Sequence, residues 1–370
     1  MITAAKAPKY RQIYGVLERD IQAGRWQQGE RLPSEADLVQ QFGASRITVG
    51  RAVRDLQLAG LVERRAGSGT YVKASARAAA ALSFGLLIPE LGETEIFEPI
   101  CQGMMASPLA RTHALVWGSL NGGGTKEEQA WDLCRHYIDR EVSGVFFAPL
   151  EYTPSKNEMN RRIAEALDAA RIPVVLLDRT VGPYPERGHH DLVALDNRGA
   201  GYVMTEHLLR LGSRRVAFVG VPNTAATVEA RAAGCREALF AWGAPFDRAF
   251  IHRLDPADAD SVRTLMDSTR PDAIVCANDR TAARLMHTLI DLGHELPRDV
   301  RLAGIDDLEY ASLLPVPLTT IRQPTRQIGA AALAAMLDRV SGADLPTRDI
   351  LLHGTLVVRK SCGAPATQSA

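Results

Sequence analysis

Apolar residues in the first part of the chain recur at helical spacing. Ile13, Leu17 and Ile21 stack at i+4 within 10–22, and Val49, Ala52, Val53 and Leu56 fall at i, i+3, i+4 and i+7. Between these stripes Pro33 stops any earlier helix, Ser34 can cap a new one with Asp37 as capping-box partner, and Gly43 can close it with a positive φ. Ser45 then caps the helix bearing Val49, so Ser45, Arg46, Ile47 and Thr48 form a first turn that the buried stripe does not use. Two short runs, 61–64 and 70–72, flank Ala66-Gly67-Ser68-Gly69 and predict a hairpin.

From residue 82 onward short apolar runs alternate with helical patterns, which predicts βαβ units and parallel sheet. Strands are expected at 84–88, 114–117, 144–147, 174–177, 193–195, 216–220, 274–276 and 301–305. Helices are expected at 161–170, 198–211, 230–242, 281–292 and 327–340. About 290 residues are too many for one compact open sheet, so an α/β body of two doubly wound, parallel-sheet lobes is expected. The run Lys73-Ala74-Ser75-Ala76-Arg77-Ala78-Ala79-Ala80-Ala81 reads as a linker. The expected organisation is a head over 1–74, a linker over 75–81 and a body over 82–370. Lobe 1 takes about 82–192 and 324–350, and lobe 2 about 193–323 and 351–362.

Charge sharpens this division. The whole chain balances 43 Lys+Arg against 43 Asp+Glu, but 1–74 holds 12 against 7, leaving 31 against 36 for the rest. A basic head on an acidic body suits a nucleic-acid module joined to a sensor. The five cysteines are odd in number, widely spaced and never C-x-x-C, which reads as reduced thiols in a cytosolic protein. No apolar core of signal-peptide length and no stretch of membrane-span length occurs, so a soluble, cytoplasmic chain is expected.

Candidate chemistry falls in three places. A polar, basic first turn on the second helix of a turn pair, here Ser45 to Thr48, is what enters a DNA major groove. A glycine-bearing tip beside Arg64 and Arg65 makes a wing that can lie on phosphates or reach a minor groove. In the body, Asp178-Arg179, Asn278-Asp279 and Asp306-Asp307 each follow an apolar strand run. Singly, an Asp there is most simply an N-cap. As a set, carboxylates, an amide and a guanidinium at strand ends suit a polyhydroxylated ligand.

The stretch containing Leu32-Pro33-Ser34-Glu35, Phe42-Gly43-Ala44-Ser45-Arg46-Ile47-Thr48-Val49 and Arg64-Arg65-Ala66-Gly67-Ser68-Gly69-Thr70-Tyr71-Val72 resembles the winged helix-turn-helix of the GntR family, over about 10–72. Many members carry arginines where this chain has Ala36 and Gly50; Arg31 and Arg51 stand close by. The resemblance implies a DNA-binding set of Arg31, Ser34, Ser45, Arg46, Ile47, Thr48, Arg51, Arg65, Gly67 and Ser68. Asp196-Asn197, the run from His207 to Gly220, Arg231-Ala232-Ala233-Gly234, the run from Pro271 to Asp279, Gly304-Ile305-Asp306-Asp307 and the run from Pro317 to Pro324 are similar to the periplasmic-binding-protein-like effector domain of the LacI/GalR family. That resemblance spans about 82–361. It implies that Arg231, Asn278 and Asp306 grip the effector, with Asp178, Arg179 and Gln323 lining the same cleft. Where the family carries Asn-Pro-Phe-Phe, this chain has Glu93-Thr94-Glu95-Ile96-Phe97-Glu98-Pro99, and Phe97 offers a stacking face to a sugar ring.

The combination resembles arabinose-repressor-type regulators. It implies a sugar-responsive repressor of carbohydrate-utilisation genes, acting as a homodimer on a pseudo-palindromic operator of double-stranded DNA, with no cofactor, no metal and no enzymatic activity. A sugar-binding transport protein shares the two-lobed fold, but the fused basic head argues against it. A GntR-headed pyridoxal-phosphate enzyme would need a Schiff-base lysine, and Lys126, Lys156 and Lys360 have no such setting. Other signals are weaker. Asn121-Gly122-Gly123-Gly124-Thr125-Lys126 lacks the Gly-Lys-Ser/Thr order of a phosphate loop and reads as a flexible loop. His189-His190-Asp191 could suggest a metal, but no ligand cluster of suitable spacing accompanies it and it reads as an exposed inter-strand loop. Trp117, Trp131 and Trp242 read as packing residues, and Arg210, Arg214 and Arg215 as a solvated helix end.

Overall fold

Helices α1 (Lys9–Gln22), α2 (Glu35–Phe42) and α3 (Arg46–Leu58) are followed by the hairpin β1 (Val62–Arg65) and β2 (Gly69–Val72). The computed structural model describes residues 8–22, 25–26, 29–58, 60–65, 67–73, 81–89, 95–118, 124–245, 250–342 and 345–364. The chain divides into two units, Met1–Leu82 and Ser83–Ala370. Residues 75–80 of the expected linker and 121–123 of the glycine run lie outside the described residues.

In the smaller unit the Ser34 hydroxyl accepts from the Asp37 N–H at 3.2 Å, and the Asp37 carboxylate accepts from the Ser34 N–H at 2.9 Å. Gly43 closes α2 at φ 54°, in the left-handed region. Ile13, Leu17, Ile21, Leu38, Val49, Ala52, Val53 and Leu56 bury one side of all three helices against Val62 and Val72 of the hairpin. Each large side chain there contributes about 1.5–3 kcal/mol relative to exposure. That core leaves the outer turn of α3 free.

In the larger unit a first lobe is built from β3 (Ser83–Leu87), α4 (Phe97–Ala106), β4 (Ala114–Val116), α5 (Lys126–Asp139), β5 (Gly144–Phe147), α6 (Lys156–Ala169), β6 (Val174–Leu177) and β7 (Asp191–Leu195). A second follows from α7 (Asn197–Arg210), β8 (Val216–Gly220), α8 (Ala226–Ala241), β9 (Ile251–Arg253), α9 (Ala259–Thr269), β10 (Ala273–Cys276), α10 (Asp279–Asp291), β11 (Arg301–Ala303) and β12 (Thr320–Arg322). The chain then returns to the first lobe with α11 (Thr325–Val340) and β13 (Asp349–Leu352), and β14 (Thr355–Val357) pairs antiparallel with β12. The first sheet runs β4-β3-β5-β6-β7-β13 and the second β9-β8-β10-β11, with every neighbouring pair parallel. Both lobes therefore repeat one winding, second strand beside first and then third and fourth. Such sheets bind ligands beyond their carboxyl ends.

The expected lobe boundaries at 193 and 351 fall inside strands of the first sheet. β7 continues to Leu195 and pairs along its length with β13, so the crossovers lie at Asp196 and after Leu352. The misplacement has a physical origin. Asp191, read as loop, opens β7 fully buried because Arg339 and Arg348, far downstream, hold its carboxylate at 2.6 and 2.7 Å. Each lobe also joins one helix pair at backbone contact. A Cβ on Gly234 of α8 would run into the Arg198 carbonyl of α7, and one on Gly329 of α11 into the Ile100 carbonyl of α4.

Candidate functional site

On the head, the first turn of α3 presents Arg46 and Ile47 outward; Ile47 is 86% exposed, which an apolar residue tolerates best where something covers it. Ser45 and Thr48 are partly committed to the cap, with Ser45 Oγ 2.8 Å from Thr48 Oγ1 and accepting from the Thr48 N–H at 3.3 Å. Arg51 lies over the Tyr10 ring at 3.9 Å, which aims it along the same face. Ser34 spends its hydroxyl on the capping box, leaving its exposed edge rather than its hydrogen bonds for a partner. At the wing, Gly67 and Gly69 take φ 72° and 129°, Ser68 Oγ meets Tyr71 Oη at 2.6 Å, and Arg65 lies over the Tyr71 ring at 4.6 Å. The Arg31 side chain rests against Gly69, where any Cβ would meet its Nε at 2.6 Å. Arg64 is paired with Glu35, and Arg65 with Glu63 at 2.7 Å. The outer turn of α3 and the wing thus carry Arg31, Arg46, Arg51 and Arg65 on exposed surface.

In the body, five of the expected effector residues join into one buried chain of charges, and Phe97 abuts it. Phe97 opens α4 and is 1% exposed, with the Arg179 guanidinium over its ring at 5.4 Å. The stacking face expected for a sugar is therefore taken by a guanidinium. Arg179 Nε lies 3.2 Å from Asp178 and its Nη1 2.5 Å from Glu151. Across the cleft Arg231 Nη2 is 3.5 Å from Asp306 Oδ1, and Gln323 Nε2 donates to that oxygen at 2.7 Å. Asp178 and Arg231 are near enough that the guanidinium's charge acts on the carboxyl. Asn278 stands apart: its side-chain oxygen caps α10 by accepting from the Thr281 N–H at 2.8 Å. Its neighbour Ala277 supplies a carbonyl to Arg231 at 2.6 Å.

Two further residues belong to this cluster: Glu151, which sequence reading passed over, and Asp279, which it placed at a strand end without an effector role. Glu151 is 6% exposed and bridges the lobes, its other oxygen accepting from the Ala225 N–H at 3.2 Å. Asp279 is fully buried and accepts from Thr320 Oγ1 at 2.6 Å and the Leu308 N–H at 3.0 Å. The signal for Glu151 was the one used for Asp178, a carboxylate ending an apolar run, here 144–150.

Two guanidiniums, Arg179 and Arg231, thus face four carboxyls, Glu151, Asp178, Asp279 and Asp306. Burial and this excess of negative charge push carboxyls toward the neutral form. Asp306 rises to about 7, chiefly through burial, with Arg231 opposing and Asp279 adding. Asp279 rises to about 6, again chiefly through burial. Asp178 is raised by burial against the pull of Arg179 and Arg231. Gln323 Oε1 and Tyr310 Oη, both buried, have no hydrogen-bond partner among the described residues, and Gln323 is 4% exposed. Unpaired buried acceptors of this kind mark a place where a hydroxyl-bearing ligand or water is expected.

The lobes are latched beside the cluster. The Tyr152 N–H donates to the Asn223 carbonyl at 2.7 Å, and the Lys156 ammonium donates to that carbonyl at 3.1 Å and to that of Thr224. A hollow of 610 Å³ opens on one side, lined by Lys156, Arg179, Tyr184, Thr224, Glu229 and Arg236 among others. Another of 430 Å³ is lined by Tyr152, Asp255, Asn278, Arg280 and Arg284. Neither is lined by Asp178, Arg231, Asp306 or Gln323, because those groups have closed on one another.

His189 is exposed as expected, but His190 is 6% exposed, because it sits where the chain enters the buried strand β7. Space supplies what sequence spacing did not show: Asp168, from α6, lies beside both rings. Arg162 covers Trp131 at 3.9 Å, while Trp117 and Trp242 are exposed. No helix among the described residues is long and apolar enough to cross a membrane.

Comparison with known proteins agrees with this architecture. Residues 9–72 match the model of the bacterial regulatory proteins of the gntR family, and 205–362 match the periplasmic binding protein-like domain. The chain is 26% identical over 376 residues to an arabinose metabolism transcriptional repressor of Geobacillus stearothermophilus, covering 96% of this chain and 97% of that one. It is 30% identical over 246 residues to the HTH-type transcriptional repressor PurR of Vibrio atlanticus (strain LGP32), covering 65% of this chain and 70% of the relative. Among solved structures, a CelR–cellobiose complex superposes with TM-score 0.64 at 23% identity, over 97% of this chain and 100% of the other.

Proposed function

On the premise that this chain belongs to the LacI-type transcriptional regulators and carries a GntR-type DNA-binding head, we propose that it is a cytoplasmic, homodimeric repressor released from its operator by a sugar. The observation that carries the effector reading is the run of buried groups Arg179, Asp178, Arg231, Asp306 and Gln323 between two strand-end surfaces. Fixed carboxylates and guanidiniums alternate there, so neighbouring hydroxyls of one ring can each donate to one group and accept from the next. A pentose or hexose is the chemical class that fits, and the arabinose-metabolism relative supports a pentose.

The head reads DNA through the exposed first turn of α3, with Arg46 on base edges and Ile47 on a thymine methyl or sugar. Arg31, Arg51 and Arg65 lie on phosphates, and the wing tip at Gly67 and Ser68 approaches the backbone. One such head makes few contacts, so two on a pseudo-palindromic site bring affinity and specificity into a useful range. A sugar changes the outcome only by binding one arrangement of the lobes better than the other.

The test is a thermal-shift screen of the full chain against pentoses, hexoses and nucleobases, followed by gel-shift titration on promoter fragments with each hit. A sugar that raises Tm and weakens the DNA complex is the expected result. A nucleobase that raises Tm while every sugar fails would replace the sugar reading.

A further inference from the structure

We propose that Asp168, His189 and His190 form a binding site for a divalent transition-metal ion of the zinc class on the first lobe. His189 Nε2 lies 2.9 Å from Asp168 Oδ2, and His190 Nε2 lies 3.6 Å from the same oxygen. The two imidazoles are 4.2 Å apart between centroids, and one ligand atom from each of the three residues lies within 4.8 Å of the others. Around a tetrahedral ion with ligands at about 2.0–2.1 Å, neighbouring ligand atoms stand about 3.4 Å apart. The two nitrogen–oxygen separations bracket that value, and a swing of the exposed His189 ring brings its nitrogen to the same spacing from His190.

The donor set selects the ion. Two imidazole nitrogens and one carboxylate oxygen suit zinc and its neighbours, whereas calcium and magnesium favour cages of oxygen. A fourth position faces solvent, since the His189 side chain is 73% exposed, and water can fill it. The supports are rigid. Asp168 lies in the last turn of α6, the His190 side chain is 7% exposed, and Asp191 directly after it is clamped by Arg339 and Arg348. Thr347 Oγ1 also donates to the His189 carbonyl at 2.9 Å. A bound ion would tie the end of α6 to the start of β7, the strand that leads directly to the crossover at Asp196.

The experiment uses the full chain, stripped with a chelator, titrated calorimetrically with zinc chloride and in parallel with cobalt(II) as an optical probe. About one equivalent should bind saturably, Tm should rise with zinc by mass action, and cobalt should give a visible tetrahedral band. His189→Ala and Asp168→Asn, both at accessible positions, should each weaken zinc about tenfold or more and abolish the band, while melting like the wild type in chelator. His190→Gln tests the buried ligand. No saturable binding up to millimolar zinc would overturn the proposal. So would unchanged affinity in the first two variants, which would place the ion elsewhere, for example at His207 beside Cys362, whose Nε2 and Sγ are 3.4 Å apart.

Discussion

Arg231 meets Asp306 at 3.5 Å while its other nitrogens are tied to the Asn197 side chain at 2.7 Å and the Ala277 carbonyl at 2.6 Å. The guanidinium is therefore fixed by the second lobe whether or not a ligand is present. Asp306 is held differently. It takes φ 131° and Asp307 φ 57°, and Asp307 is pinned by Arg322 and Arg359 at 2.6 Å each. Non-glycine residues in that region persist only where surroundings over-determine them, as at ligand sites. The pair is a fixed donor facing an acceptor strained into place.

Removing the donor should therefore separate sensing from DNA binding. Arg231→Ala leaves the Asp306 carboxylate, the Asn197 amide and the Ala277 carbonyl short of a partner, costing about 3–5 kcal/mol of body stability. Asp306→Asn keeps the shape and a hydrogen bond to Gln323 and should cost far less. Both should bind operator but no longer release it with sugar, as read by gel shift with and without effector. An Asp306→Asn protein that responds at wild-type sugar concentrations would remove Asp306 from the effector site.

The raised carboxyls give a pH dependence of definite sign. Asp306 titrates at about 7 in the fold against the usual carboxyl range in the unfolded chain, so the unfolded chain ionises first as pH rises. Stability from this group is complete at acid pH and is lost progressively until pH passes about 7. Asp279, at about 6, acts in the same direction. The ligand-free body should thus melt lower at pH 7.5 than at pH 5.5, an effect on the order of a few kcal/mol. Asp306→Asn should flatten the slope. A sugar hydroxyl donating to the ionised carboxylate would release a proton, seen as a binding enthalpy that varies with buffer.

Much of this architecture could be read from residue order because the information is local. The capping box at Ser34 and Asp37, the left-handed Gly43 and the stripe Val49 to Leu56 all act within a few residues, and the structure has each as the spacing requires. The strands at Gly144–Phe147 and Val174–Leu177 are buried on both faces and therefore read as continuous apolar runs. β13 and β14 were missed for the opposite reason. They are short and half-exposed, and their pairing is with β7 and β12, which lie far upstream. At the site, Asp178 and Arg179 were visible as strand ends, whereas Lys156 gains its role only through carbonyls at Asn223 and Thr224. The third partner of His189 and His190 sits on another element entirely.

On the head, Arg46 is exposed on the first turn of α3, beside the exposed Ile47. Arg51 is stacked on Tyr10, which holds its positive charge in a fixed direction. Arg46→Ala should cost about 1–3 kcal/mol on the preferred operator and relax one base preference. Arg51→Ala should instead weaken all sequences alike and flatten the salt dependence. Binding assays on an operator library at two salt concentrations separate the two outcomes. If Arg46→Ala weakened every sequence equally, it would be a phosphate contact and α3 would sit in the groove by a different edge.

The last prediction concerns the latch between the lobes. Lys156 is anchored on α6 of the first lobe and donates to two carbonyls of the second, at Asn223 and Thr224. Burial pulls its ammonium below the ordinary lysine range, with Glu151 pulling the other way, so part of the hydrogen-bond gain is spent on lost hydration. What remains, about 1–2 kcal/mol, favours the closed arrangement. Lys156→Met keeps the stem and removes the donors, so the closed state should lose about fivefold to thirtyfold in population relative to the open one. If sugar selects the closed state, half-release of DNA should need a correspondingly higher sugar concentration, while DNA affinity without sugar stays close to wild type. If sugar selects the open state, the same variant shifts the curve to lower concentration. The direction of that shift, measured by gel-shift titration, therefore identifies which arrangement of the lobes lets go of DNA.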